Sequence, residues 1–311
     1  MTDADPEAAE AAARAAGAAW VRIRPLESLA DLEAAIGLFD QIWRPAPTNP
    51  PLTLELLRAM TKAGNYAAGA YDVRDGGLIG ACAGFFGPPA AREMHSHIAG
   101  VAGPGLGRGV GFALKLHQRS WALARGVRSI EWTFDPLVRR NAYFNMVKLG
   151  ARPAEYLPNF YGGMNDAING AADSDRLLIA WDLRSPLVTD ACAGKSAAAS
   201  AEAELAGGAS VALSASADGW PVPGTASGRV LLIAVPRDIE GLRVADPACA
   251  AAWRTALRVS LEPLLAAGAR VTGFDRSYNG AGWYVVTTES PSPPPPLLPP
   301  LPRLPPQEES P

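Results

Sequence analysis

The stretch Gly103-Pro-Gly-Leu-Gly-Arg-Gly-Val-Gly111 constrains this chain more than any other. An apolar, strand-like segment ends at Val101 just before it. Phe112-Ala-Leu-Lys-Leu-His-Gln-Arg-Ser-Trp121 continues it as a helix, with Val110, Ala113, Leu114, His117, Trp121 and Ala124 on one face. A strand that turns through glycines into a helix leaves backbone N–H groups unpaired. It aims them, with the positive end of the helix dipole, at one point. Such a point suits a phosphate or diphosphate. A dinucleotide-binding loop is disfavoured, because Phe112 stands where that fingerprint needs its third glycine and antiparallel strands precede the loop.

Strand-like and helix-like patterns alternate around the loop. Trp20 to Pro25 reads as a strand, and Asp31 to Trp43 and Leu52 to Ala63 read as helices. Tyr66 to Val73 and Leu78 to Phe86 read as a hairpin turned by Asp75-Gly76-Gly77, and Glu93 to Val101 as the next strand. After Gly126, Ile130, Trp132 and Phe134 alternate with polar residues as a strand. Asp135-Pro136 then reads as an N-cap with proline at the first helical position, opening a helix that runs to Leu149-Gly150. Residues after Pro153 read as an irregular loop holding Tyr156, Asn159, Tyr161, Asn165 and Asp166, and Leu177 to Leu183 as a closing strand. The expected division is a flexible N-terminus (1–17), as a frayed helix or disordered, an α/β domain (18–184), an Ala/Ser/Gly-rich linker (185–227), a strand-helix-strand-strand module (228–288) and a disordered proline-rich tail (289–311). The tail repeats a Pro-x-x-Pro spacing that suits an aromatic groove, against the plainer reading of a tail without a partner.

The balance of 28 basic and 31 acidic residues leaves a net charge of -3 and no basic stripe, so no nucleic-acid partner is expected. No apolar run approaches the roughly 20 residues that span a bilayer, and the acidic, alanine-rich start is unlike a signal peptide. Cys82, Cys192 and Cys249 are too scattered for a disulfide framework or a metal site. The expected setting is a reducing cytoplasm.

The element order, with Leu106-Gly107-Arg108-Gly109-Val110-Gly111 opening a helix and Asn141-Ala-Tyr-Phe-Asn-Met-Val-Lys-Leu-Gly-Ala151 ending another, resembles the GNAT superfamily of acyl-CoA-dependent N-acyltransferases. The resemblance covers about residues 20 to 183. Leu106 departs from it, standing where the family has Arg or Gln. So does Met146, standing where many relatives carry an acidic tyrosine. The resemblance implies a mixed, twisted α/β (α+β) sheet with flanking helices and an acetyl- or acyl-CoA co-substrate without a metal. The partner it implies is an amine acceptor, small molecule or peptide. Residues 228 to 287 lie outside it. They complete the sheet, form a homodimer contact or cover the acceptor pocket, and the sequence leaves the three open.

On that reading the backbone of Leu106, Gly107, Arg108, Gly109, Val110 and Gly111 receives the CoA diphosphate. The Arg108 side chain pairs with a phosphate or stays solvated. Ile98, Ala99, Gly100 and Val101 offer backbone groups to the pantetheine arm where two parallel strands splay apart. Glu131, flanked by Trp132 and Phe134, is a candidate base if burial raises its pKa, or a strand-face carboxylate in a polar network. His97 is the rival base, or a satisfied structural histidine, with His95 on the same face. Tyr143 is the remaining candidate acid. Asn141 and Asn145 are candidate cofactor contacts, or simply surface and capping amides. The runner-up to an enzyme is an acyl-CoA-binding sensor or scaffold without turnover, favoured by Leu106 and Met146.

Overall fold

A computed structural model describes residues 5–45, 50–162 and 173–288. The chain opens with α1 (Pro6–Ala18), where a flexible segment was expected. Asp5 caps it by accepting from the Ala8 amide, and Pro6 sits in the first turn. Ala8, Ala11 and Ala12 are buried. Their small side chains let α1 lie close against the helix that follows the glycine loop, α4 below.

The first sheet holds seven strands: β1 (Val21–Pro25), β2 (Tyr66–Asp72), β3 (Leu78–Phe86), β4 (Glu93–Val101), β5 (Ser129–Phe134), β6 (Arg152–Leu157) and β7 (Arg176–Asp182). Their spatial order is β1-β2-β3-β4-β5-β7-β6. Every pairing is antiparallel except that of β4 with β5. On one face lie α2 (Leu29–Trp43) and α3 (Leu54–Lys62), burying Leu32, Ala35, Phe39 and Leu57. On the other lies α4 (Val110–Leu123), which buries Val110, Ala113 and Leu114. The alternating patterns and the Asp-Gly-Gly turn set this half of the chain, as a mixed α/β sheet with flanking helices requires.

Three expectations here are corrected. The segment from Arg152 to Leu157, Tyr156 included, is strand β6, paired with β7 through an irregular register between Pro153 and Glu155; Asn159 and Tyr161 follow in a turn, and Asn165 and Asp166 lie outside the described residues. Asp135 caps no helix, because α5 (Arg139–Tyr143) begins later and Val138 stands before it. The helix expected to run to Leu149 changes at Phe144 into a π turn (Phe144–Lys148), where the Leu149 amide reaches back five residues to the Phe144 carbonyl.

The second sheet has the order β11-β12-β10-β8-β9. Its strands are β8 (Ser210–Ala215), β9 (Pro221–Pro223), β10 (Val230–Val235), β11 (Arg270–Asp275) and β12 (Gly282–Thr287). The helices of this half are α6 (Pro186–Cys192), α7 (Ala201–Ala206), α8 (Ile239–Ala245) and α9 (Pro247–Ala266). The expected strand-helix-strand-strand module is β10, α9, β11 and β12. The expected linker is not one: β8 pairs in parallel with β10 and buries Ala212 and Leu213, so residues 210–223 build the sheet. The proline-rich tail lies outside the described residues.

The two sheets share one apolar core that runs from Trp132 and Leu177 to Leu231, Trp253 and Tyr284. At the seam, Asp135 follows directly on β5 and is 4% exposed. Its Oδ1 accepts from the Leu137 amide at 3.0 Å and from Arg254 Nη1 at 2.8 Å. Its Oδ2 accepts from Arg254 Nη2 at 2.7 Å and from Arg243. One turn further along α9, Arg258 holds Asp175 just before β7, with Nε to Oδ2 at 2.9 Å. The Tyr284 hydroxyl donates to the Pro136 carbonyl at 2.8 Å. Of the three options left open for the extension, completing the first sheet is overturned: its strands form a second sheet, packed against the ends of β5 and β7.

Candidate active site

The site begins with a one-residue irregularity in β4. Phe85 faces His95 and Ala83 faces Ile98, so β4 spends one residue more than β3 over that interval. Such a bulge bends its strand and increases its twist. Gly84 sits opposite, where a Cβ would come within 2.6 Å of the His95 carbonyl oxygen, so a side chain there would fill the space the bulge occupies. The bend falls where β4 leaves β5. The pair is in register only for Glu93–Ser129, Met94–Ile130 and His95–Glu131. Beyond it the two strands diverge as a fork. Ile98, Ala99, Gly100 and Val101 form one prong, still paired to β3 on the far side. Gly100 brings α2 down onto this prong: a Cβ would meet Ile42 and Trp43 at 2.7 Å.

The glycine loop stands past the end of that prong. Gly107 and Gly109 have φ of +75° and +83°, a region that disfavours side chains, and Gly109 is the N-cap of α4. The Leu106 and Arg108 amides are used inside the loop, donating to Gly103 and Gly105 carbonyls. Among the described residues, the amides of Gly107, Gly109, Val110, Gly111 and Phe112 donate to no acceptor. The Arg108 side chain follows neither reading suggested by the sequence. Its Nη1 donates to Asp72 Oδ2 at 2.6 Å, and its Nη2 to the Ala19 carbonyl at 3.0 Å, so it ties the loop to β2 and to the end of α1.

Glu131 and His95 sit opposite each other at the last paired position of the fork. Glu131 is half-buried; burial, and then the neighbouring charges of Glu93 and Glu155, raise its pKa above the usual carboxylate value. His95 stacks on Phe85 with ring centroids 5.1 Å apart. Burial, with the charges of His97 and Lys115, pushes it down to about 4, so it is neutral at pH 7. His97 Nε2 lies 3.0 Å from the Pro51 carbonyl. A carbonyl only accepts, so Nε2 is the donor there and Nδ1 is left as the ring's other nitrogen. His117 is at the core boundary, with Nδ1 on the Tyr66 hydroxyl at 3.0 Å.

The helix residues separate. Asn145 is 4% exposed, and its Oδ1 accepts from Trp132 Nε1 at 3.3 Å, which ties the π turn to the second prong. Asn141 is half-buried in α5. Tyr143 turns toward the extension, where the Arg276 guanidinium lies 4.4 Å from its ring centroid. Met146 is buried. No tyrosine among the described residues is thereby drawn to the fork from this helix.

Over 53% of its length, the chain is similar in structure to the ribosomal-protein-S18-alanine N-acetyltransferase from Escherichia coli, of which it covers 95%, at 17% identity and a TM-score of 0.41. It is similar over 53% to an N-acetyltransferase from Staphylococcus aureus Mu50, covering 99% of that chain, at 17% identity and a TM-score of 0.42. A GCN5-related N-acetyltransferase from Kribbella flavida is matched over 52% of this chain and 98% of its own, at 24% identity and a TM-score of 0.41. No family model and no curated protein matches the sequence. What decides the architecture is the order of the first sheet and the fork between its two parallel strands. The seven-stranded mixed sheet with its fork is GNAT-like, as the sequence resemblance leads one to expect.

One residue at the fork has no motif to mark it in the sequence. Lys115 of α4 is 4% exposed. Its Nζ donates to Ser96 Oγ at 2.7 Å and to Gln118 Oε1 at 3.1 Å, and it lies 3.8 Å from the centroid of the Trp132 ring. Ser96 and Trp132 are the first residues of the two prongs past the last pair. The ammonium therefore sits at the apex of the fork, with neutral partners only among these contacts. Burial pushes its pKa down to about 8 from the usual 10.5. Between those values the unfolded chain binds more protons than the folded one, so this group stabilises the fold increasingly as pH rises. Relative to Lys115→Met, the wild type is expected to gain roughly 3 kcal/mol in unfolding free energy from pH 7 to pH 10.5. Urea denaturation at both pH values measures it, and a difference between the two proteins that does not change with pH would contradict this assignment.

Proposed function

We propose that the chain transfers an acyl group from an acyl-CoA thioester to an amine. The observation that supports it most is the coincidence of the fork with the glycine loop. The five free amides from Gly107 to Phe112 and the positive end of α4 fit a diphosphate, and the open edge of Ile98–Val101 fits the amide-bearing pantetheine arm. CoA would supply the activated acyl carbon. The residues here would hold it beside Glu131.

The amine nitrogen attacks the thioester carbonyl carbon, the C–S bond breaks, and the sulfur leaves as thiolate. The attacking nitrogen loses one proton. Glu131, with its raised pKa at the root of the fork, is the proposed acceptor of that proton, with His97 Nδ1 the second candidate. Arg108 acts on the loop's shape, through Asp72 and the Ala19 carbonyl, rather than on a phosphate. The amine is unidentified, and the three separate buried thiols suit a reducing cytoplasm.

Incubation with acetyl-CoA and a panel of amines, followed by free thiol, tests the reading. Amine-dependent thiol release supports it. Glu131→Gln is expected to lower the rate at neutral pH about 100-fold while CoA affinity stays the same; full activity in that variant would pass the role of base to His97.

A second reading is an acyl-CoA-binding protein that does not turn over. The position of Tyr143 against Arg276, with Met146 buried, favours it, because the helix then offers no acid for the leaving thiolate. Saturable CoA binding without thiol release across the panel would select it.

A further inference from the structure

The extension does more than pack against the GNAT fold. Between the start of α5 and the β10–α8 connection lies an open cleft of about 360 Å³, lined by Arg139 and Arg140 from one side and by Arg237, Asp238 and Glu240 from the other. We propose that this cleft binds a phosphate monoester, gripped jointly by Arg139 and Arg237.

The side chains are not equivalent. Arg140 is neutralised by both carboxylate oxygens of Glu240. Asp238 accepts from the Gly241 amide at 3.0 Å and caps α8. Arg139 gives one N–H to the Arg276 carbonyl at 2.7 Å and keeps the rest of its guanidinium for the cleft. Its stem passes over Gly282 of β12, where a Cβ would stand 2.7 Å from Arg139 Cγ, so the extension's own strand sets its path. Arg237 is exposed and makes no hydrogen bond or ion pair among the described residues. Arg276, adjacent, rests on Tyr143. Burial, and then the like charges of Arg237 and Arg276, depress the Arg139 pKa. Guanidinium groups brought together from both halves of the chain repel one another until an anion stands between them. Arginine forks match the oxygens of a phosphate, and a doubly charged monoester answers two of them better than a carboxylate does.

Two sources carry this chemistry. One is the ribose phosphate of CoA, since Arg139 and Arg140 immediately precede Asn141 on the helix that leads to Asn145 and the fork; this source rests on the acyl-CoA reading. The other is a separate phosphate-bearing molecule, which does not.

The test measures binding of CoA, of 3′-dephospho-CoA and of inorganic phosphate to the full chain, to Arg237→Ala and to Arg139→Gln. Arg237 is exposed, so its truncation leaves the core intact. A wild-type preference for CoA over the dephospho form of about tenfold, equivalent to 1.4 kcal/mol, that vanishes in Arg237→Ala, supports the first source. Equal binding of the two nucleotides, with saturable phosphate binding that both variants lose, supports the second. Phosphate binding lost in the variants while neither nucleotide binds would sustain the cleft and end the acyl-CoA reading. The proposal is overturned if the wild type neither discriminates between the nucleotides nor binds phosphate in a way the variants weaken.

Discussion

Asp135→Ala is expected to lower the unfolding free energy by about 3–5 kcal/mol, and to do so without touching any residue of the fork. The carboxylate is buried and meets Arg254 through both oxygens and Arg243 through one. Arg254 is 6% exposed, and its Nε already has no partner among the described residues. Deleting the carboxylate leaves a buried guanidinium uncompensated, which costs more than the intact pair contributes over an apolar replacement. The pH dependence has a definite sign. Burial raises the Asp135 pKa, but the charge and hydrogen bonds of Arg254, followed by Arg243, outweigh it and hold the group at about 2, below the usual 3.8. A carboxyl with a depressed folded pKa stabilises fully above its unfolded value and loses that contribution as pH falls toward its folded one. Wild type and variant should therefore converge in stability below pH 4. Urea titrations at pH 7 and pH 3 measure this, and a variant as stable as wild type at pH 7 would show that the pair holds nothing.

Gly109→Glu is expected to abolish CoA binding, with an affinity loss of at least about 100-fold. Gly109 is the N-cap of α4, and a Cβ there would meet nothing within 4 Å, so the new side chain has room to enter the space before the helix. A carboxylate near a helix N-terminus favours the helix, yet here it would stand where the diphosphate is proposed to lie. Two like charges about 4 Å apart repel by about 4 kcal/mol near a protein surface. The φ of +83° makes any side chain strained. Gly109→Ala is therefore the control: it carries the strain without the charge and should keep most of the affinity. Isothermal titration with CoA separates them, and a glutamate variant that binds like the alanine variant would remove the diphosphate from this loop.

The sequence was most legible where local pattern and neighbour contacts agree. β3 and β4 begin and end at the expected residues because the Asp75-Gly76-Gly77 turn and the glycine loop bound them on either side. The packing of α1, open in the sequence between a frayed helix and disorder, was hidden because its buried face is alanine, whose weak hydropathy conceals the spacing of Ala8, Ala11 and Ala12; the Asp5-Pro6 start was the available signal. β8 was missed in a Ser/Ala-rich stretch, although Val211 and Leu213 alternate in it. β6 was hidden by Pro153, which an edge strand tolerates. The bulge that opens the fork has no local signature, since it exists only in the register between two strands. The partners of Asp135 were likewise beyond reach: Arg254 lies 119 positions away, and an Asp-Pro pair reads locally as a cap.

The continuous core has a mechanical consequence. β5 carries Glu131, and the carboxylate four residues later, just past the strand's end, is held by α9. Displacing the far sheet would drag that strand end and change the width of the crevice between the prongs. The far sheet therefore fixes where the end of β5 stands relative to the fork.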